Sequence, residues 1–176
     1  MNYREILKIN GYDGIPMLLH IGDEFIELSK EVMDESQDFK VLSTDHPSGN
    51  RAYERSICFL MTRAINKLNP DAEVIIEHSI SRGLFCELTG MEPTEDILAN
   101  IKAEMTRLVE AKLPIIPKYA DRAKAIEAFR QAGRPEVVKL FESKEFNRIK
   151  LYELDGMTGF FYGPLAANTE DLKLFD

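Results

Sequence analysis

Residues 51–68, RAYERSICFLMTRAINKL, then 69–71, NPD, and 72–88, AEVIIEHSISRGLFCEL, decide how this chain folds. In the first run Ile57, Leu60, Met61, Ala64, Ile65 and Leu68 recur at helical spacing, and Asn69-Pro70-Asp71 halts the helix. In the last run, 72–78 and 82–88 are short apolar stretches around Ser79-Ile80-Ser81, with Gly83 able to take positive φ, which predicts a β-hairpin. A long helix leading into an antiparallel hairpin, without regular βαβ spacing, points to an α+β fold.

Working outward, the pattern stays mixed. Upstream, 17–21 and 39–42 read as short strands around an acidic connection. The turn formers Thr44-Asp45-His46-Pro47-Ser48-Gly49-Asn50 close that half. We therefore divide the chain into a small β-rich lobe over 1–48 and an α+β domain over 49–176, with helices packed on a mainly antiparallel sheet. Downstream, Pro93-Thr94-Glu95-Asp96 opens a helix with the stripe Ile97, Leu98, Ile101, Met105, Leu108 and Val109, its carboxylates in the first turn where the helix dipole favours them. Residues 113–117 are too proline-rich for a central strand and read as an edge strand or extended connection. Helices are expected over 119–132, stopped by Gly133, and over 135–141 with Pro135 at the first helical position. Strands over 149–154 and 158–162 close the chain across Asp155-Gly156.

The 176 residues are 44% hydrophobic and 30% charged, which excludes a disordered tail and lets a domain bury roughly 70% of its unfolded surface. Twenty-two basic against thirty acidic residues give a net charge of -8, which disfavours a nucleic-acid clamp spanning the whole molecule. No apolar run reaches the roughly 18 residues of a membrane span and no basic-then-apolar leader opens the sequence, so a cytoplasmic protein with no membrane partner is expected. Cys58 and Cys86 lack metal or redox spacing and read as reduced core thiols. Charge is uneven: residues 1–50 carry ten acids against four bases, and 118–150 carry nine bases against five acids. Charge runs are usually solvated helix faces, but the second segment also reads as a phosphate-facing patch.

Five stretches together resemble the second N-terminal domain shared by threonyl- and alanyl-tRNA synthetases over about residues 50–176. They are Arg55-Ser56-Ile57-Cys58-Phe59-Leu60-Met61, Asn69-Pro70-Asp71-Ala72, Gly83-Leu84-Phe85-Cys86-Glu87-Leu88, the helix from Thr94 and Tyr162-Gly163-Pro164-Leu165. In that family a helix with His-Ser-x-x-His and a late Cys-Arg-Gly-Pro-His supply four metal ligands used in editing mischarged tRNA. The resemblance puts those ligands at Arg55, Phe59, Phe161 and Leu165. Arginine does not deprotonate to coordinate, and Phe and Leu have no lone pair, so the editing metal is expected to be absent. A second resemblance is to bacterial nucleoside (uridine-type) kinases, which set a TGS-like and this synthetase-like domain before a P-loop kinase domain. Arg55-Ser56-Ile57-Cys58-Phe59-Leu60, Ile76-Glu77-His78-Ser79, Tyr162-Gly163-Pro164-Leu165 and Leu172-Lys173-Leu174-Phe175 carry it. That resemblance implies ATP and Mg²⁺ only in a downstream kinase domain, because no Gly is followed by Lys here and the phosphate cradle of a P-loop needs that pair.

No catalytic residue is assigned. Ligand-binding candidates are Arg55, Ser56, His78, Glu87 and Tyr162, with Arg55, Glu87 and Tyr162 expected to converge where the family metal would sit and His78 at the rim. His78 reads either as a proton shuttle or as a hydrogen-bonded structural residue. Arg55 reads either as a cation gripping a phosphate or carboxylate or as one half of an ion pair with Glu87 or Glu77. The function expected is a non-catalytic regulatory or ligand-recognition region of a uridine/nucleoside kinase-type protein, taking a nucleotide or other small anion. The alternatives are a metal-independent aminoacyl-tRNA hydrolase using Arg55 and His78, with tRNA as partner, and an interaction module docking a basic partner through residues 1–50.

Overall fold

The computed structural model describes residues 1–33, 38–80, 83–143 and 148–175, and the side chains of 77–80 lie outside the described set. Helix α1 (Tyr3–Ile9) opens the chain on a capping box, Asn2 and Glu5 each accepting a backbone N–H of the other at 2.9 Å. Antiparallel strands β1 (Leu18–Ile21), β2 (Glu24–Glu27) and β3 (Lys40–Leu42) follow in the order β2-β1-β3. The supposed acidic connection thus contains β2, turned back on β1 at Gly22, and α1 is an element that periodicity is too short to reveal.

Helix α2 spans Pro47–Leu68. It begins four residues before the expected start because the His46 Nδ1 accepts the Ser48 N–H at 3.1 Å and Pro47 fits the first turn. A Cβ on Gly49 would fall 1.9 Å from the Ser43 carbonyl oxygen, so only glycine lets this helix start lie against the end of β3. The hairpin follows as β4 (Glu73–Ile80) and β5 (Gly83–Thr89). Strand pairing runs through Ile80, shortening the expected turn, whose Ser81 lies outside the described residues. Helix α3 (Glu95–Glu110) opens where it was read, and the Thr94 side chain caps it by accepting the Ile97 N–H.

The third sheet, ordered β6-β7-β8, comprises β6 (Ile116–Asp121), β7 (Arg148–Leu154) and β8 (Met157–Gly159), with α4 (Arg122–Gln131) and α5 (Pro135–Ser143) between β6 and β7. Here the expected helix over 119–132 is corrected. Residues 119–121 are strand, because Tyr119, Ala120 and Asp121 pair with Lys150, Ile149 and Arg148, and this pairing outweighs local helical preference. Pro117 is accommodated since β6 is an edge. The final strand stops at Gly159, where Phe160 and Phe161 leave the ladder to pack against Phe141 and Phe59 at ring distances of 4.9 and 5.0 Å.

The architecture is α+β, with the strands in three antiparallel sheets. The main core joins α2 (Phe59, Leu60, Ala64) and α3 (Met105, Leu108) to Leu154, Leu165 and Leu172, and takes Met17, Leu18 and Leu42 from the N-terminal sheet. A second cluster lies under α1, and a third puts Phe129 and Phe141 on Ile149 and Leu151. Arg4 on α1 binds Asp171 at 2.9 and 3.0 Å and also Glu170, which meets Lys8 too. The Lys8 ammonium, followed by Arg4, draws the Glu170 carboxyl down to about 2. Among the described residues no helix is long and apolar enough to cross a membrane.

Candidate functional site

The four positions that the synthetase resemblance singles out gather around one point of the core. Phe59, on the inner face of α2, is 1% exposed and meets Phe161 edge-tilted at 5.0 Å. Leu165 is also 1% exposed in the same cluster. Arg55, one turn before Phe59, donates from Nε and Nη2 to the Pro164 carbonyl at 3.1 and 2.8 Å. Burial lowers its pKa from the ordinary arginine value. Gly163, at φ 113°, lies close to that guanidinium, and an added Cβ would stand 3.0 Å from Cζ. Rings and a leucine thus fill the interior, while an arginine clasps the loop that closes over it.

Ser56 beside it is fully buried, donating to the Ala52 carbonyl at 2.7 Å and accepting the Ala166 N–H at 2.8 Å. Both hydroxyl functions tie the late segment to α2 and leave no proton for a ligand. Glu87 does not meet Arg55, which removes one partner of the ion-pair reading; the side chain of Glu77, the other, lies outside the described residues. On β5, Cys86 and Leu88 turn toward α2, so alternation puts Glu87 on the outer, exposed face with Phe85. His78 lies on β4, and its side chain is outside the described residues. Cys58 is pushed up to about 11 by burial, a resting core thiol. Tyr162, of the five candidates, lines a cavity.

That cavity is a cleft of about 660 Å³ between the N-terminal lobe and the third sheet. Phe25, Glu27 and Lys30 form its lobe side. Tyr119, Arg148 and Lys150 form its floor, and Tyr162, Gly163 and Pro164 its far wall. The floor follows from strand alternation: Ile149 and Leu151 face the helices α4 and α5, so Arg148, Lys150 and Tyr152 face the other way, opposite Asp121, Tyr119 and Pro117 of β6. The Arg148 guanidinium carbon stands 5.5 Å over the Tyr119 ring, and the Lys150 ammonium 5.2 Å over Tyr152. Glu27, 8% exposed, binds Lys150 at 2.7 Å and accepts the Tyr152 hydroxyl proton. Burial, then the Glu27 charge, pushes the Tyr152 phenol well above its ordinary pKa.

The basic segment 118–150 divides between its two readings. Lys118, Lys124, Arg130 and Arg134 pair with Glu153, Asp121, Glu127 and Glu136 on the surface, whereas Arg148 and Lys150 enter the cleft. Tyr119, Arg148 and Lys150 were not among the five candidates read from the sequence, although Arg148 and Lys150 belong to the segment read as a phosphate-facing patch. Their signal was the alternation Arg148-Ile149-Lys150-Leu151-Tyr152, obscured once Tyr119 was assigned to a helix. Among the described residues no three His, Cys, Asp or Glu side chains gather as metal ligands.

No family model matches the chain. It is similar to a threonine–tRNA ligase of Desulfosudis oleivorans, 28% identical over 131 residues, which cover 74% of this chain and 20% of that protein. It is similar also to a threonine–tRNA ligase of Francisella tularensis subsp. novicida, 25% identical over 154 residues, covering 87% of this chain and 24% of that protein. The chain therefore spans about a fifth to a quarter of the length of the curated relatives it matches, and contains a threonyl-tRNA synthetase-like region.

Proposed function

We propose that this chain is a non-catalytic ligand-recognition region, retaining a synthetase-like frame whose reaction centre has been replaced by packing, in a uridine/nucleoside kinase-type protein of the cytoplasm. The observation that carries the reading is the Phe59–Phe161 contact at 5.0 Å with Leu165 buried in the same cluster, closed by Arg55 on the Pro164 carbonyl. A hydrolytic water needs a metal or a general base to activate it, and these rings supply neither. Arg55 spends its Nε and Nη2 donors on the backbone, which disfavours the hydrolase reading that used it. The kinase-type parent rests on the four motifs closing with Leu172-Lys173-Leu174-Phe175, and ATP chemistry is assigned to a following domain.

The experiment is a deacylation assay with seryl-tRNA carrying a threonine anticodon. The chain is expected to leave the ester at its buffer rate, and hydrolysis above that rate would overturn the non-catalytic reading. For the parent protein, the reading frame after Asp176 is expected to encode Gly-x-x-x-x-Gly-Lys-Ser/Thr. A frame continuing into an aminoacylation domain would contradict that assignment.

A further inference from the structure

We infer that the cleft between the N-terminal lobe and the open face of the β6-β7-β8 sheet binds a free mononucleotide, with its planar ring on Tyr119 and its phosphate among Lys30, Arg148 and Lys150. The inference rests on the ligand-recognition reading above and names the chemistry recognised. Three cations and one carboxylate line the cleft, leaving an excess of positive charge inside a chain of net charge -8. Among the described residues Lys30 and Arg148 form no ion pair, while Lys150 is held by Glu27. Lys30 and Arg148, the latter standing 5.5 Å over the Tyr119 ring, are thus the cations without a carboxylate partner, and Lys150 is shared.

Charge alone does not account for the lining. Tyr119 is 60% exposed, and Phe25, its ring stacked on His20 at 5.2 Å, is 47% exposed; both line the same cavity. A site for bare phosphate has no use for those rings, and a site for an uncharged apolar ligand has none for the cations. A base stacked on an aromatic side chain, joined to a phosphate facing guanidinium and ammonium groups, uses both. The volume lies within the roughly 300–1,000 Å³ of small-ligand pockets. The end of an RNA strand offers the same ring and phosphate, but a longer strand needs a basic track, and Lys118, Lys124, Arg130 and Arg134 outside the cleft are already paired with acids.

The test is calorimetric titration of the full chain with AMP, GMP, CMP and UMP, the matching nucleosides, inorganic phosphate and a CCA trinucleotide. At least one monophosphate is expected to bind, with its nucleoside and inorganic phosphate each about tenfold weaker or more, and Tyr119→Ala and Arg148→Met each weakening it by about tenfold or more. Arg134→Met, on the paired exterior, is expected to leave affinity unchanged. Silence from all four monophosphates at millimolar concentration overturns the inference. So does phosphate binding as tightly as the monophosphates, binding by the trinucleotide alone, or undiminished affinity in Tyr119→Ala. Deacylation activity would sink the non-catalytic reading and leave this titration to stand by itself, whereas a silent titration without deacylation sinks only the present inference.

Discussion

Two neighbouring regions of the molecule use the same late segment in opposite ways. At Phe59 and Leu165 the region is buried core, and half-buried Phe161 packs on Phe59 from the edge of the cleft, which it also lines. A few residues away, Tyr162, Gly163 and Pro164 line a cleft whose floor is ring and cation. Arg55 separates the two, its guanidinium donating to Pro164 on the wall that both share. The contrast teaches that the frame is held by contacts outside those four positions: Ser56 on Ala166, and α3 under Thr169 through the Leu108 carbonyl at 2.7 Å. The recognition proposed above is placed on the adjoining sheet face, away from those four positions.

The sharpest way to break this comparison is Phe59→Ala. If the filled region is true core, the substitution leaves a cavity and costs about 3–5 kcal/mol in urea unfolding; a cost below 1 kcal/mol would mean that the rings are mere filler. Ser56→Ala removes the partner of a buried backbone N–H and is expected to cost about 2 kcal/mol, read in the same way. Arg55→Met tests the boundary. Loss of two charge-assisted bonds to Pro164 is expected to cost about 1–2 kcal/mol, and Arg55→Lys should recover part of it. No stability change would show that the clasp is idle and the cation free for a ligand.

The smallest expected effect lies in acid. Glu170, held at about 2 against an ordinary 4.5 by Lys8 and Arg4, contributes stability at pH above 4.5, which is lost as pH falls toward 2. Glu170→Gln should therefore lower stability at neutral pH and flatten the acid limb between those values, with the difference from wild type vanishing near pH 2. An unchanged limb would place the lobe's attachment elsewhere.

What was legible in the sequence tracks what is local. The helical spacing of Ile57 to Leu68, the helix opening at Pro93-Thr94-Glu95-Asp96 and the Asp155-Gly156 turn are decided by residues near one another; α3 and the β7–β8 connection stand where they were read, and α2 does so apart from its first turn. The cleft is not local. Tyr119 becomes a floor residue only because β7, 31 positions later, pairs Lys150 against it, and that pairing is invisible while 119–132 reads as continuous helix. Arg55 shows the same limit. Its place at one of the four positions the resemblance singles out was readable, but its partner is a backbone carbonyl 109 residues away, and a sequence reading looks for carboxylates.

The measurement that bears most directly on the account is thermal melting of three proteins with and without the tightest-binding monophosphate: wild type, Tyr119→Ala and Phe59→Leu. If packing and recognition are separate regions, Tyr119→Ala melts within about 2 °C of wild type and loses the ligand-induced rise, since an exposed ring carries little stability. Phe59→Leu melts about 2–6 °C lower and keeps the rise. Loss of the rise in Phe59→Leu together with its survival in Tyr119→Ala would contradict the account, placing the ligand in the region described here as filled.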